Sequence, residues 1–298
     1  MSNASRRVLI FGIDGFTGNH LAHYLSEQGH EVLGTSYSPL HDPRVFKCDI
    51  CDKNNVLDVL KKTKPNYIVN LAGISFVANK NDELFYNVNV LAVENILSSI
   101  LEVKGYSPEK IILVSSASVY GAQPSDILDE SMQPNPMNHY GISKFAMEQM
   151  ARTYFTRLNI IITRPFNYTG VGQKNYFLIP KIVEHYKNSF GKIELGNLNI
   201  SREFNDIDFV CEAYNRLLEL GEKSNVYNIC SNKAIKLIDI INIMNEIAGY
   251  KIKVETNEKF LRKNDVETLT GSSDKLFDKV STIENPDFRD TLKKMYES

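Results

Sequence analysis

Short apolar runs alternate with longer amphipathic stretches through the first half of the chain. Val8–Phe11, Glu31–Thr35, Tyr67–Leu71, Lys110–Ser115 and Ile160–Thr163 read as strands. Between them, residues 17–28, 54–63, 83–103 and 141–157 place apolar side chains at helical spacing. The runs Val8-Leu9-Ile10-Phe11 and Ile111-Ile112-Leu113-Val114 are apolar at every position. Strands of that kind are covered on both faces, which predicts a parallel sheet. The alternation as a whole predicts a doubly wound α/β fold. After about residue 165 the rhythm loosens, and Asn, Gly and Lys become frequent around 187–202. We therefore expect a sheet domain of residues 1–165 plus roughly 203–232, and a smaller α/β lobe of 166–202 and 233–298. No fixed-period repeat and no low-complexity linker separates them, so the two parts should meet at a cleft.

Composition narrows the function classes. The 298 residues are 43% hydrophobic and 23% charged, enough for a sizeable core and too apolar for wholesale disorder. With 34 Lys+Arg against 36 Asp+Glu, the formal charge is −2, which lacks the cationic footprint of a nucleic-acid binder. Four cysteines do not make a disulfide scaffold and suit a reducing compartment. No run reads as a membrane span of roughly 18–20 apolar residues, and the N-terminus goes straight into strand pattern. Ser2, Asn3 and Ala4 are set aside as a candidate expression remnant. The expectation is a cytoplasmic protein without nucleic-acid or membrane partners.

The first strand runs into Gly12-Ile13-Asp14-Gly15-Phe16-Thr17-Gly18, which opens the first helix. Glycines there let backbone approach a pyrophosphate held at the positive end of the helix. A tight turn that binds nothing is the alternative, but the strand–loop–helix position favours dinucleotide binding by Gly12, Gly15, Phe16, Thr17 and Gly18. The second strand leads into Ser36 and Tyr37 with neither an acid nor an arginine at its end. An acid there would repel a 2′-phosphate, so its absence favours NADP(H) and still allows NAD(H). Cys48-Asp49-Ile50-Cys51 has no second pair at zinc spacing. It reads as a strand end whose Asp49 and Ile50 face the adenine, and no metal site is expected. Leu71, Ala72 and Gly73 supply small residues beside the cofactor. Asn89, on the next helix, fits either a cofactor contact or a buried structural amide.

Tyr140 and Lys144 share a helix face at i, i+4. A phenol of pKa ~10 is a poor base at neutral pH, but a neighbouring ammonium favours its ionised form. Such a pair can pass a proton to or from a sugar oxygen. At the end of the fifth strand, Ser115-Ser116-Ala117-Ser118-Val119-Tyr120-Gly121 offers a hydroxyl that can bind a reacting carbonyl, with an ordinary Ser-rich loop as the alternative.

Glycine loop, strand-end serine and Tyr-x-x-x-Lys together resemble the extended short-chain dehydrogenase/reductase superfamily, in its nucleotide-sugar branch, over essentially the whole chain. The resemblance implies a Rossmann dinucleotide-binding domain and a nucleotide-sugar lobe. It makes Ser116, with Ser118 its near competitor, Tyr140 and Lys144 catalytic, with Tyr140 and Lys144 also at the cofactor. It implies that Asn167 and Lys181 contact the substrate diphosphate and nucleotide. Gly196, Asn197 and Arg202 resemble the guanine and diphosphate site of the GDP-mannose branch, with Arg262 and Asp265 on the diphosphate and ribose. Ala117 and Ser118 stand where a 4,6-dehydratase of the family carries acids. The activity implied is reduction of the C4 ketone of a GDP-4-keto-6-deoxy sugar, either a hexose such as GDP-4-keto-6-deoxy-mannose or a heptose analogue. A 4-epimerase or another nucleotide-sugar 4-reductase is the alternative, and a non-catalytic dinucleotide sensor a third. Helices 83–103 and 141–157 are expected to form the family's homodimer face.

Overall fold

The computed structural model describes residues 5–75, 81–257 and 268–298. Seven strands build one sheet: β1 (Arg7–Phe11), β2 (Glu31–Ser36), β3 (Val45–Lys47), β4 (Tyr67–Asn70), β5 (Lys110–Val114), β6 (Ile160–Pro165) and β7 (Val226–Ile229). All pairings are parallel, in the order β7-β6-β5-β4-β1-β2-β3. The chain moves outward from the centre in both directions, so the strand order reverses between β1 and β4. Their carboxyl ends frame the crevice where such sheets bind ligands.

Successive residues of each strand serve opposite faces. Leu9, Phe11, Ile68, Ile111 and Leu113 face one core, and Val8, Ile10, Val69 and Ile112 the other. The first face is covered by α2 (Lys53–Thr63), α3 (Asp82–Glu102) and α4 (His139–Arg152). The second is covered by α1 (Phe16–Glu27) and α6 (Ile207–Leu220). At 21 residues and a mean hydropathy of 1.4, α3 is long and apolar enough to cross a membrane, contrary to the sequence expectation. Its Phe85, Val93, Ile96, Leu97 and Ile100 are buried, four of them in the core beneath the sheet, so its apolarity is that of a core helix.

A third core lies outside the seven-stranded sheet. There α5 (Leu178–Lys187), α7 (Leu237–Ala248) and α9 (Phe288–Glu297) bury Ile182, Tyr186, Ile240, Met244 and Leu292. Strand Lys192–Leu195 pairs with Lys253–Thr256, and Ser201–Glu203 lies between Ala234–Lys236 and Thr268–Gly271. Two expectations are corrected. Helix α4 ends at Arg152, not 157, and a turn carries the chain on to β6. Helix α8 (Asp274–Val280), expected in the lobe, inserts Leu276 and Val280, followed by Ile283, into the sheet-domain core beside α6.

Candidate active site

The glycine loop is shaped by close backbone packing. Gly12 has φ +81°, and a Cβ there would lie 2.8 Å from the amide nitrogen of Ala72, across the β1–β4 crevice. Gly12 and Ile13 donate backbone bonds to the Thr35 carbonyl, which ties the loop to β2. A Cβ on Gly18 would meet the Gly12 oxygen at 2.2 Å, so α1 can start this close only with glycine. Gly15 differs: its added Cβ would meet nothing nearer than 3.3 Å, leaving its outer side open. It caps α1 without any side-chain hydrogen bond. The first-turn N–H groups of a helix have no intrahelical partner, so this uncapped end suits an anion. The loop therefore fits the pyrophosphate of a dinucleotide. Thr17 is buried, and its Oγ1 shares a 2.8 Å hydrogen bond with the Tyr168 hydroxyl, while the Phe16 ring stacks on Tyr168.

Beside the loop, Leu71, Ala72 and Gly73 leave β4 at the crevice. A Cβ on Gly73 would lie 3.0 Å from Asn89 Oδ1 and 3.3 Å from Lys144 Nζ. Asn89 is buried and committed: its amide brackets Ile74, accepting from the nitrogen at 2.9 Å and donating to the oxygen at 3.2 Å. It also donates to Ser143 Oγ. Of its two expected roles, the structure shows the positioning one, fixing the Gly73–Ile74 backbone against α4. A π-helical turn, Asn87–Leu91, rotates Asn89 to that place.

On α4, the Asn138 side chain caps the helix by accepting from the Gly141 nitrogen. Gly141 allows the Ser116–Ser118 loop to approach, since a Cβ there would be 2.7 Å from the Ser118 oxygen. Ser116 Oγ accepts from the Ser118 nitrogen at 3.1 Å. Burial pushes the Tyr140 phenol up, and the neighbouring Ser116 hydroxyl opposes this. Lys144 is buried and donates to the Val114 oxygen at 2.8 Å. Burial lowers its ammonium to about 8, against the raising field of Glu148. Glu148 is itself held by both Nε and Nη2 of Arg164 and by Ser115 Oγ at 2.6 Å. The expected catalytic trio thus converges on one side of the crevice, above a buried ion pair that sequence reasoning did not single out.

At the sheet edge, Asp49 accepts from the Cys51 nitrogen, and Ile50 is buried in the core. Cys48 is also buried, which pushes its thiol up to about 12. One feature of this edge escaped the sequence reading. Ser36, the last residue of β2, donates to Asp14 Oδ2 at 2.7 Å, so an acid does stand at the strand end, delivered by the glycine loop. Tyr37 beside it is largely exposed.

The expected substrate residues gather in two groups. Asn167 Nδ2 donates to the Glu203 oxygen, next to Arg202, whose Nη1 donates to Ser201. Lys181 Nζ donates to the Glu194 oxygen, two residues before Gly196, while Asn197 closes a local turn with Asn199. Arg262 and Asp265 lie outside the described residues. The strands flanking them pair with Lys192–Leu195 and Ser201–Glu203 respectively.

Comparison with known proteins places the chain in a family. The sequence profile of the NAD dependent epimerase/dehydratase family matches residues 8–230. The GDP-6-deoxy-D-talose 4-dehydrogenase of Aggregatibacter actinomycetemcomitans is 34% identical over 271 residues, covering 91% of this chain and 90% of that protein. The GDP-6-deoxy-D-mannose reductase of Pseudomonas aeruginosa is 28% identical, covering 92% and 90%. Among solved structures, RMD from Pseudomonas aeruginosa complexed with NADPH superimposes with a TM-score of 0.87 at 26% identity, covering 98% of each chain.

Proposed function

The chain belongs to the NAD dependent epimerase/dehydratase family, and on that premise we propose that it reduces the C4 ketone of a GDP-4-keto-6-deoxy sugar. It is an NAD(P)-dependent oxidoreductase, and its relatives are named for C4 oxidoreduction and reduction of GDP-6-deoxy sugars. The observation that carries the finer reading is the convergence of Ser116, Tyr140 and Lys144 beside an open glycine cradle. 6-Deoxy-talose and 6-deoxy-mannose differ only at C4, so both arise from one 4-keto sugar by reduction from opposite faces.

When bound, the nicotinamide supplies the hydride. The protein's own residues handle the oxygen and its proton. Ser116 donates a hydrogen bond to the C4 carbonyl oxygen and shares it with Tyr140. Tyr140, kept protonated by burial, gives its proton to that oxygen as the ketone becomes an alcohol. Lys144 limits the cost of the phenolate that remains and is anchored on Val114 to reach a ribose at Gly73. Ala117 and Ser118 bring no carboxyl to the loop, which disfavours elimination of water from C6. In this reading residues 166–202, with 233–273 and 284–298, hold the nucleotide sugar against the sheet domain. Asn167, Lys181, Arg202 and Arg262 supply polar and cationic groups toward the diphosphate. We further infer a homodimer through α3 and α4.

The test gives the protein GDP-4-keto-6-deoxy-mannose with NADH or NADPH and follows absorbance and product together. Stoichiometric loss of reduced nicotinamide with one new GDP-6-deoxy sugar is expected, and coupling constants at C4 report the face attacked. Tyr140→Phe should bind cofactor yet turn over at least ~100-fold more slowly. Isomerisation without net nicotinamide change would instead make it an epimerase. Binding without turnover on GDP, UDP and dTDP 4-keto sugars would make it a sensor.

A further inference from the structure

The end of β2 carries a chemistry that the linear sequence conceals. Asp14 is the third residue of the glycine loop, and its backbone oxygen accepts from Asn19 Nδ2 at 3.2 Å. Its Oδ2 accepts from Ser36 Oγ at 2.7 Å. Ser36 is buried at the strand terminus, where its own carbonyl accepts from the Cys48 nitrogen, so the hydroxyl that holds Asp14 is fixed. The second carboxylate oxygen, Oδ1, has no protein donor among the described residues. A groove of about 370 Å³ opens beside it, lined by Ile13, Asp14, His23, Asp42 and Arg44 among others. The arginine there is already paired. Arg44 is clamped by Asp42 through Nε at 3.1 Å and Nη2 at 2.8 Å, and His23 lies 3.2 Å from Glu27.

We propose that Asp14, positioned by Ser36, is the clasp for the adenosine ribose of the dinucleotide and makes this chain selective for NAD(H). The inference rests on the glycine loop being the cofactor cradle. A carboxylate is an acceptor only, and it matches the two hydroxyl donors of an unmodified ribose diol. A 2′-phosphate would remove one of those donors and bring nearly two negative charges toward Asp14. Neighbouring Arg44 has its Nε and Nη2 on Asp42, whose carboxylate already balances its charge. The absence of an acid in the sequence at the strand end had favoured NADP(H). The fold reverses that preference by supplying the acid from a loop 22 residues earlier in the chain.

The experiment measures dissociation constants by calorimetry for NADH and NADPH, and for the fragments 5′-AMP and 2′,5′-ADP, which need no nicotinamide site. Wild type should bind NADH at least about tenfold more tightly than NADPH, the scale of one uncompensated like-charge contact near a protein surface. Asp14→Asn removes the charge and keeps the shape, so it should narrow that ratio, weakening NADH and strengthening NADPH. Ser36→Ala, which frees the carboxylate, should narrow it less. Thermal melts confirm that both variants fold. Equal or tighter NADPH binding by wild type overturns the proposal and leaves the cradle intact. A preference for NADH that Asp14→Asn does not change overturns the role of Asp14. Failure of all four ligands to bind overturns the cradle and the proposal together.

Discussion

Lys144 carries its charge under opposing influences, and their balance sets a pH dependence. Burial lowers its ammonium to about 8, and the carboxylate of Glu148 partly offsets that. Tyr140 is shifted the other way, upward, by the same burial. Below pH 8 the pair is therefore ammonium and neutral phenol, the combination that donates a proton and stabilises what is left. As pH rises through about 8, Lys144 loses its charge and the phenolate loses its support. Reduction should be flat from neutral pH to near 8 and then fall, in single-turnover measurements that isolate the chemical step. Lys144→Arg keeps a cation at all these pH values, so the falling limb should move upward or vanish, even if the absolute rate drops. A limb that stays at 8 in that variant would assign it to another group. Tyr140 and Lys144 stand out in the sequence because four residues on one helix bring them to the same face, whereas Ser116, 24 residues earlier, is singled out only by the family resemblance. Asp14 was not legible as a strand-end acid, because its contact with Ser36 spans 22 residues and depends on how the loop folds back.

The elements separate according to how much of their burial is written as an apolar run. β1, β4 and β5 each carry an apolar run broken only by one polar residue at an end, and their ends lie within a residue of those the pattern predicts. β3 is only three residues long and half-exposed, so it leaves little pattern. β7 hides because it contains Asn228, a buried amide that pays its desolvation by accepting from the Tyr120 hydroxyl at 2.6 Å and donating to the Leu128 oxygen. Such pairing is set by tertiary structure and has no local signature. The π turn in α3 is similarly silent, since one extra residue barely disturbs an apolar stripe. The glycine loop lies at the other extreme, with spacing that announces it. Its glycines are not equivalent, however. Gly12 and Gly18 are packed hard against backbone, whereas at Gly15, with φ −74°, an added Cβ would need only a small shift of the Gly12 oxygen 3.3 Å away. Gly15→Val should therefore melt within a few degrees of wild type yet lose dinucleotide binding, because the side chain occupies the pyrophosphate position. Loss of stability equal to the loss of binding would show that Gly15 serves packing instead.

For the whole molecule, the question is what covers the outer side of α3 and α4. Their inner sides fill the core beneath the sheet, but Leu84, Leu91, Leu101 and Ile142 remain exposed, Leu91 by 58%. Single exposed apolar residues need no explanation, and it is contiguous apolar patches that mark interfaces, so the inferred homodimer requires these four to meet a partner together. Paired copies of α3 and α4 would bury them in a four-helix arrangement, the homodimer we infer. The same two helices carry Asn89, Tyr140 and Lys144, so such an interface would brace the catalytic face from behind. A carboxylate at the centre of that contact would have to be desolvated without a partner, which is costly. In the free protomer the same carboxylate would sit harmlessly in water. Leu91→Glu should accordingly convert a dimer to a monomer in light scattering while preserving the circular dichroism spectrum and dinucleotide binding. Turnover should fall in the monomer, as α4 loses its support, and recover partly at high protein concentration. A wild-type chain that is monomeric at tens of micromolar, or a Leu91→Glu variant that stays dimeric, would place the contact elsewhere or remove it.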